Sequence, residues 1–317
     1  MPASFCVLDE QRQYLEHRGM YQSTVDMIFN VLLLVFWFKL WTTPDDRNTF
    51  FNPYLSSIDR FADAAIRFLQ PVFVGFNHKT IAALTLIFLI VFRGVVFVGM
   101  SGPENASWTL IFGFMRRTPA SNGILSYVSF SGLSFLVFLF KLWSITLLYM
   151  FIQQRNNYAF AHPTIFLQRL SLPLSSLRNE FTLLILITVG AFIGAALEIE
   201  GAPIQPTINI NVRHGSFILV AAALTLVSLS ALADILMTIA NVMVLLIIGS
   251  FVATFTGNRS VMHFCSEWID TLLGPLRTRK IAIGMFDLTP LIFLLAITMF
   301  VHPLLRGILY GMLANLL

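Results

Sequence analysis

The residues of this chain that could do chemistry inside a membrane are a few ionisable side chains within long apolar stretches. Asp234 is the clearest of them, because it stands inside the apolar run from Phe217 to Phe255. A carboxylate in such a run needs a cationic partner, a water-filled cavity or a break in the helix. The spacing favours a helix break near Ala233-Asp234, and the alternative makes Asp234 a candidate ion or proton site.

The basic side chains near the other apolar runs are typical of membrane anchors. A repeated Phe-Lys-Leu-Trp places a lysine and a tryptophan together near the end of two runs. In such a pair the ammonium reaches toward the headgroups while the indole lies at the membrane boundary. The four candidate lipid-contacting or partner-contacting residues of this repeat are Lys39, Trp41, Lys141 and Trp143. Arg93 and Arg306 also stand near the ends of runs, and we predict that they reach the headgroups in the same way.

The histidines and cysteines form no recognisable metal or catalytic pattern. His302-Pro303 lies in the last apolar run, where we predict a helix kink rather than a haem or metal ligand. The sequence holds no HExxH motif, no glycine-rich phosphate loop and no nucleophile motif. We therefore expect no catalytic residue, no metal and no cofactor other than bound lipid, and we predict that the chain is not an enzyme.

The composition determines which elements carry these residues. The chain is 57% hydrophobic and 11% charged, with a mean hydropathy of +0.79, far from the values of soluble domains. This predicts an all-α polytopic membrane protein of about six transmembrane helices, with interfacial amphipathic helices between paired spans. The net charge of +4 is typical of basic loops that fix membrane orientation, so we expect no nucleic-acid binding.

Hydropathy and periodicity divide the chain into spans and amphipathic linkers. The predicted spans cover about residues 24–41, 81–98, 124–152, 181–197, 235–255 and 288–310. The predicted amphipathic linkers cover residues 52–69, 163–178 and 259–273. As one straight helix, residues 217–255 would be about 59 Å long, against a hydrocarbon core of about 30 Å. We therefore predict an interfacial or re-entrant helix followed by one span there, with two full spans as the alternative.

The order of span, linker, proline break and span recurs along the chain. Gln70-Pro71 corresponds to Gly274-Pro275, and Arg93-Gly94 corresponds to Arg306-Gly307. After a polar N-terminal tail at residues 1–23, we predict three copies of a two-helix unit, at 24–100, 124–198 and 217–310. The linker side carries the larger share of Lys and Arg, which predicts that the linkers face the cytoplasm.

The last copy holds the most distinctive motif, between Glu267 and Gly307. Gly274-Pro275 stops the amphipathic segment that contains Trp268, and Asp287-Leu288-Thr289-Pro290 opens the final span with Asp287 as the predicted helix cap. Between them lies a basic cluster of three residues, Arg277, Arg279 and Lys280. With Trp268, this cluster is a candidate site for lipid or a partner. The arrangement resembles the YggT (YlmG) family.

The resemblance implies a small bacterial or plastid inner-membrane protein, built from copies of a two-helix unit. Members of that family are linked to osmotic tolerance, division-site organisation and, in plastids, cytochrome assembly. We therefore expect a non-enzymatic scaffold, assembly factor or accessory subunit that binds membrane lipids and other integral membrane proteins. The expected location is a bacterial inner membrane or an organellar membrane of plastids or mitochondria. The alternative is a small-solute or ion transporter or channel with Asp234 in the pathway.

Overall fold

A computed structural model describes residues 24–42, 51–100, 108–119, 123–153, 162–199, 217–274, 281–283 and 286–316. The polar tail at residues 1–23 lies outside these ranges. The first half contains the helices α1 (Thr24–Trp41), α2 (Pro53–Leu69), α3 (His78–Met100), α4 (Ile124–Gln153), α5 (His162–Leu170) and α6 (Asn179–Ile199). The second half contains α7 (Phe217–Thr256), α8 (Arg259–Leu273), α9 (Thr289–Leu295) and α10 (His302–Leu316). The short strands are β1 (Leu110–Phe112), β2 (Met115–Arg117), β3 (Ala282–Ile283) and β4 (Phe286–Asp287).

Six helical segments of the described ranges are long and apolar enough to cross a membrane. They are α1, α3, α4, α6, α7 and the continuous segment from α9 through α10. They coincide with the predicted spans to within a few residues at most boundaries, and the main exception is α7. The predicted all-α polytopic membrane fold is confirmed.

The three predicted amphipathic linkers each contain a helix. Helix α2 and helix α8 cover nearly the predicted residues, and α5 is followed by a short 3₁₀ turn next to Pro173. Helix α8 ends where Gly274 adopts a φ of +49°, a left-handed conformation that glycine reaches without a steric penalty. The predicted stop at Gly274-Pro275 is thus correct.

Helix α7 runs unbroken from Phe217 to Thr256, so the predicted division near Asp234 is wrong. Two physical reasons explain the continuity. The helix contains no proline and no glycine before Gly249, so nothing in its backbone favours a break. Asp234 also has partners within the chain, described below, and needs neither water nor a helix terminus.

The final span is locally distorted where the sequence contains His302-Pro303. Residues Ala296–Val301 form a π-helical turn between α9 and α10. Proline lacks an N–H and clashes with the carbonyl of the preceding turn, and a wider turn relieves that conflict. The predicted kink at this position therefore takes the form of a π-turn.

A buried β-hairpin precedes α4. Strands β1 and β2 pair through a tight turn at Gly113-Phe114, and the side chains of Phe112, Phe114 and Met115 are buried. Gly113 has a φ of +57°, and a Cβ added there would lie 2.1 Å from the Ser230 hydroxyl oxygen of α7. The hairpin tip thus packs directly on α7, as non-helical backbone in a membrane bundle must be enclosed by protein.

The chain separates into two compact groups of residues. Unit one comprises Met1–Asp45, Ser57–Leu110 and Arg117–Phe138, and unit two comprises Asp46–Ser56, Ile111–Arg116 and Leu139–Leu317. In unit two, α7 packs against α6, α8 and α10. A core cluster of Met243, Ile269 and Leu273 joins α7 to α8 and is covered by Phe293 and Leu294 of α9. The predicted division into three copies is a statement about sequence and stays a prediction.

Candidate functional site

The candidate site of unit two is an ionic cluster centred on Asp234. Asp234 Oδ1 lies 3.1 Å from His302 Nε2 and accepts a hydrogen bond from Arg306 Nη1 at 3.4 Å. Helix α10 presents both partners on one face, because residues four apart lie one turn from each other. Helix α7 therefore carries an acid that helix α10 neutralises. Arg306 has this partner within the chain and is also 44% exposed, so its predicted contact with headgroups stays a prediction.

The hairpin of β1 and β2 contributes the Phe114 ring to the cluster. The Arg306 guanidinium lies 5.5 Å from the centre of the Phe114 ring, which also packs edge-on against Tyr310 at 5.8 Å. A cation over an aromatic face is stabilised by the negative charge density of the ring. Phe114 is held in place because Gly113 allows the turn to press on α7.

The members of the cluster differ in exposure. The side chain of His302 is 13% exposed and that of Asp234 is 21% exposed, whereas that of Arg306 is 44% exposed. The carboxylate is thus turned toward its partners, and the cation is the group that another molecule would meet. Within the described residues, no group of three His, Cys, Asp or Glu is placed to hold a metal ion.

A cavity of about 400 Å³ lies beside this cluster, between α4, α6, α7 and α10. Among the described residues, those that line it are apolar except Ser144, whose hydroxyl donates to the Phe140 carbonyl oxygen at 2.6 Å. Ala233 and Ile235, the neighbours of Asp234, line the cavity, and so does Leu305, which precedes Arg306. The site therefore combines an apolar cavity with an ion pair at its edge.

A second polar contact of unit two joins the linkers. Tyr54 Oη donates to Glu267 Oε2 of α8 at 3.0 Å, and the Tyr54 ring contacts Phe166 of α5 and Trp268 of α8. Burial and the Glu267 carboxylate raise the pKa of Tyr54 to about 12. Asn52 strengthens the junction, since its amide donates to the His162 carbonyl oxygen at 2.9 Å. The first turn of α2 thus meets α5 and α8 at one aromatic cluster.

Unit one contains an ion pair of its own. Arg93 of α3 is fully buried, and its Nη2 atom bonds to Asp26 of α1 and donates to Ser134 Oγ at 2.8 Å. Its guanidinium also lies 5.1 Å from the centre of the Phe97 ring. The prediction that Arg93 reaches the headgroups is therefore wrong, because the helices of its own unit enclose it.

The remaining predicted site residues occupy different environments. Lys39 bonds to Asp59 at 2.6 Å and Asp63 at 2.8 Å, so it ties the end of α1 to α2. Trp41 is 41% exposed, whereas Trp143 is 9% exposed and lies inside the chain, and the interfacial role predicted for both stays a prediction. Lys141, two residues earlier on α4, is half-buried and has interactions of its own.

The motif of the last copy is described in part. Leu288 occupies the N-cap position of α9 without a side-chain cap bond, and Asp287 lies in β4, where it pairs with Ala282. Asp287 is therefore one residue too early for the predicted cap. Trp268 is half-buried in the aromatic cluster of the linkers. The predicted basic cluster lies outside the described residues, and it consists of Arg277, Arg279 and Lys280.

Sequence reasoning missed two residues that shape these sites, Asp26 and Phe114. Asp26 lies in the first turn of an apolar helix, and a later apolar helix of the same copy carries a single arginine. One acid and one base in paired spans is a signal for an intramembrane ion pair. Phe114 belongs to Leu-Ile-Phe-Gly-Phe-Met at residues 110–115, an apolar stretch with glycine at its middle that is typical of a tight hairpin.

Comparison with known proteins finds one similarity, in the last part of the chain. Residues 229–309 match the family model described as CCB3/YggT. No curated protein and no solved structure matches the chain significantly. The matched residues include Asp234, His302 and Arg306, so the three charged or titratable members of the ionic cluster lie within the matched region. The first two predicted copies lie outside the match.

Proposed function

We propose that this integral membrane protein, whose residues 229–309 form a CCB3/YggT domain, is a non-enzymatic scaffold, assembly factor or accessory subunit of a larger membrane complex. The expected membrane is a bacterial inner membrane or an organellar membrane, with the linkers on its cytoplasmic side. The linkers would bind lipid headgroups and other integral membrane proteins, and no catalytic residue is required.

One observation carries the proposal, the internal neutralisation of Asp234. Its carboxylate is bonded to Arg306 and His302, and the neighbouring cavity is lined almost entirely by apolar side chains. A path for ions or protons needs polar groups that can exchange partners along its length. A neutralised pair beside an apolar cavity instead favours a role in which the helices hold a fixed arrangement.

The linkers supply the surface for partners. They carry the basic cluster at residues 277–280, and α2, α5 and α8 meet through Tyr54, Phe166 and Trp268. Such a junction holds three amphipathic segments in one place without a covalent link. The basic cluster, which follows α8 in the sequence, is suited to anionic lipid and to acidic surfaces of neighbouring proteins.

The test is purification of the full chain from its native membrane in a mild detergent, followed by identification of what elutes with it. We expect stoichiometric integral membrane partners that are lost when Arg277, Arg279 and Lys280 are all changed to Gln. A matched control is Arg259→Gln, which removes an exposed charge at the start of α8. A chain that elutes alone, with no partner after chemical crosslinking in the membrane, would contradict the proposal.

The second candidate function is transport, which the pairing of Asp234 with a titratable histidine favours. Purified protein in liposomes would then move protons or another small ion, and Asp234→Asn would abolish the flux. The matched control is Asp63→Asn, which removes a carboxylate bonded to Lys39 instead. Flux that depends on Asp234 but not on Asp63 would replace the scaffold proposal.

A further inference from the structure

We propose that the cavity between α4, α6, α7 and α10 binds one acyl chain of an anionic phospholipid, with the lipid phosphate on Arg306. This site is separate from the linkers and lies within unit two. The proposed scaffold would then hold one specific structural lipid. Its site is the cavity, which is distinct from the basic cluster of the Glu267–Gly307 motif.

The lining of the cavity fits a hydrocarbon chain. Its volume of about 400 Å³ lies within the range of roughly 300–1,000 Å³ that is usual for small-molecule sites. Ser144 is the one residue of the lining with a polar side chain, and its hydroxyl already donates to Phe140. Since no polar group of the lining seeks a partner, the occupant has to be apolar along the part that enters.

The position of the cavity along its helices places a headgroup nearby. Leu148 is five residues from the end of α4, and Leu183 is four residues from the start of α6, so both are about 6–8 Å from a helix end. Polar sequence follows α4 and precedes α6, which indicates that these ends lie near the membrane boundary. A chain that enters here would keep its headgroup at the mouth of the cavity.

The charge at the edge of the cavity selects an anion. Arg306 is 44% exposed, and it gives Asp234 one long hydrogen bond of 3.4 Å. A guanidinium has five N–H donors, so Arg306 has donors left for a phosphate, whose oxygens match its planar geometry. Asp234, by contrast, faces its two partners and is less exposed. An approaching headgroup therefore meets the positive member of the pair first.

The experiment is native mass spectrometry of the full chain released from detergent micelles. The two probes are phosphatidylglycerol and phosphatidylcholine with identical acyl chains, supplied in equal amounts. We expect one strongly retained lipid per chain, with phosphatidylglycerol favoured about tenfold, the usual scale for one charge-assisted contact. Equal retention of the two lipids by the wild-type chain would overturn the proposal.

Two sets of variants test the role of the cation and the role of the cavity separately. The double variant Asp234→Asn with Arg306→Gln removes the cation without leaving an unpaired carboxylate, and we expect the preference for phosphatidylglycerol to disappear. Leu309→Trp fills the cavity and should reduce retention of both lipids about tenfold. Its matched control, Leu304→Trp, changes a 64%-exposed residue of the same helix outside the lining and should have no effect.

Two outcomes would show that the assignment is wrong. A preference for phosphatidylglycerol that survives in the double variant would place the anion elsewhere, and stronger retention of oleate than of phosphatidylglycerol would point to a free fatty acid. If Leu309→Trp does not fold, the double variant alone decides, because it changes no residue of the cavity lining. Partner co-purification uses a different readout, so either proposal can fail without the other.

Discussion

In unit one Arg93 is fully buried and bonds to Asp26 and Ser134, whereas in unit two Arg306 is 44% exposed and shares Asp234 with His302. Both pairs join a carboxylate of one apolar helix to an Arg-Gly sequence of a later one. Each guanidinium also lies over a phenylalanine ring. The pair of Arg93, which we call closed, has its cation buried among helices, whereas the pair of Arg306, which we call open, has its cation partly exposed.

The largest effect is expected from Arg93→Gln. This change removes a fully buried cation from Asp26 and Ser134 and leaves the Asn30 amide as a partner of the Asp26 carboxylate, and we expect a loss of about 3 kcal/mol in the free energy of unfolding. Thermal and denaturant unfolding in detergent, followed by circular dichroism, measures it. Arg67→Gln on the exposed face of α2 is the control and should change stability by less than about 0.5 kcal/mol. Equal losses in the two variants would show that the buried pair contributes no more to stability than an exposed arginine does.

The glycines that follow Arg93 and Arg306 also differ in how closely other residues pack against them. A Cβ added at Gly94 would lie 2.8 Å from the Val128 Cα of α4, so Gly94→Ala should cost about 2 kcal/mol. A Cβ added at Gly307 meets no described atom within 4 Å, so Gly307→Ala should gain up to about 1 kcal/mol through helix propensity. Unfolding of the two variants side by side measures the difference. A lower stability of Gly307→Ala in the isolated chain would contradict this expectation, because it would mean that another part of the protein already covers this face of α10.

Breaking the open pair should cost less than breaking the closed one. In Arg306→Gln the Asp234 carboxylate keeps His302 as a partner, and we expect a loss of about 1 kcal/mol. Combining Arg306→Gln with Asp234→Asn forms a double-mutant cycle that measures the coupling of the pair directly. A loss as large as that of Arg93→Gln would show that the cluster of unit two is structural in the same sense.

High pH should affect unit two through its linker junction. Because the pKa of Tyr54 is raised to about 12, the folded state keeps the phenol protonated between pH 10 and 12, where an unfolded chain loses the proton. The stability that the Tyr54–Glu267 bond contributes is full below pH 10 and is lost as pH rises through about 12. Tyr54→Phe should cost about 1 kcal/mol at pH 8 and flatten this dependence. An alkaline profile that is identical in the variant would contradict the assignment.

Most of the helical architecture could be predicted from the sequence, because apolar length and amphipathic period are local properties. The boundaries of α8 and the stop at Gly274 depend only on neighbouring residues, and both were predicted correctly. The division of α7 was predicted wrongly because the run is longer than a hydrocarbon core is thick, and because Asp234 was taken as the place of a break when it has partners on α10. Arg306 lies 72 positions away, and nothing local to Asp234 indicates it.

The contacts of the candidate site could be predicted from the sequence even less well than the course of α7. Asp234 was predicted as a candidate ion or proton site and Arg306 as a headgroup-reaching residue, and their contact depends on how α7 packs on α10. Phe114 reaches the site because it lies on the β1–β2 hairpin, which hydropathy alone does not predict. A contact between distant segments is decided by packing, so the cavity beside the pair could not be foreseen either.

The unbroken length of α7 has a consequence for the membrane that surrounds it. At 40 residues the helix is about 60 Å long, twice the thickness of a typical hydrocarbon core. Fitting it entirely within that core would require an inclination of about 60°, whereas spanning helices incline by about 20° on average. Bilayer thickness should therefore bias where this protein resides, because a thicker bilayer reduces the mismatch that α7 imposes. Reconstitution into lipids of increasing chain length, with unfolding as the readout, would show stability rising with thickness.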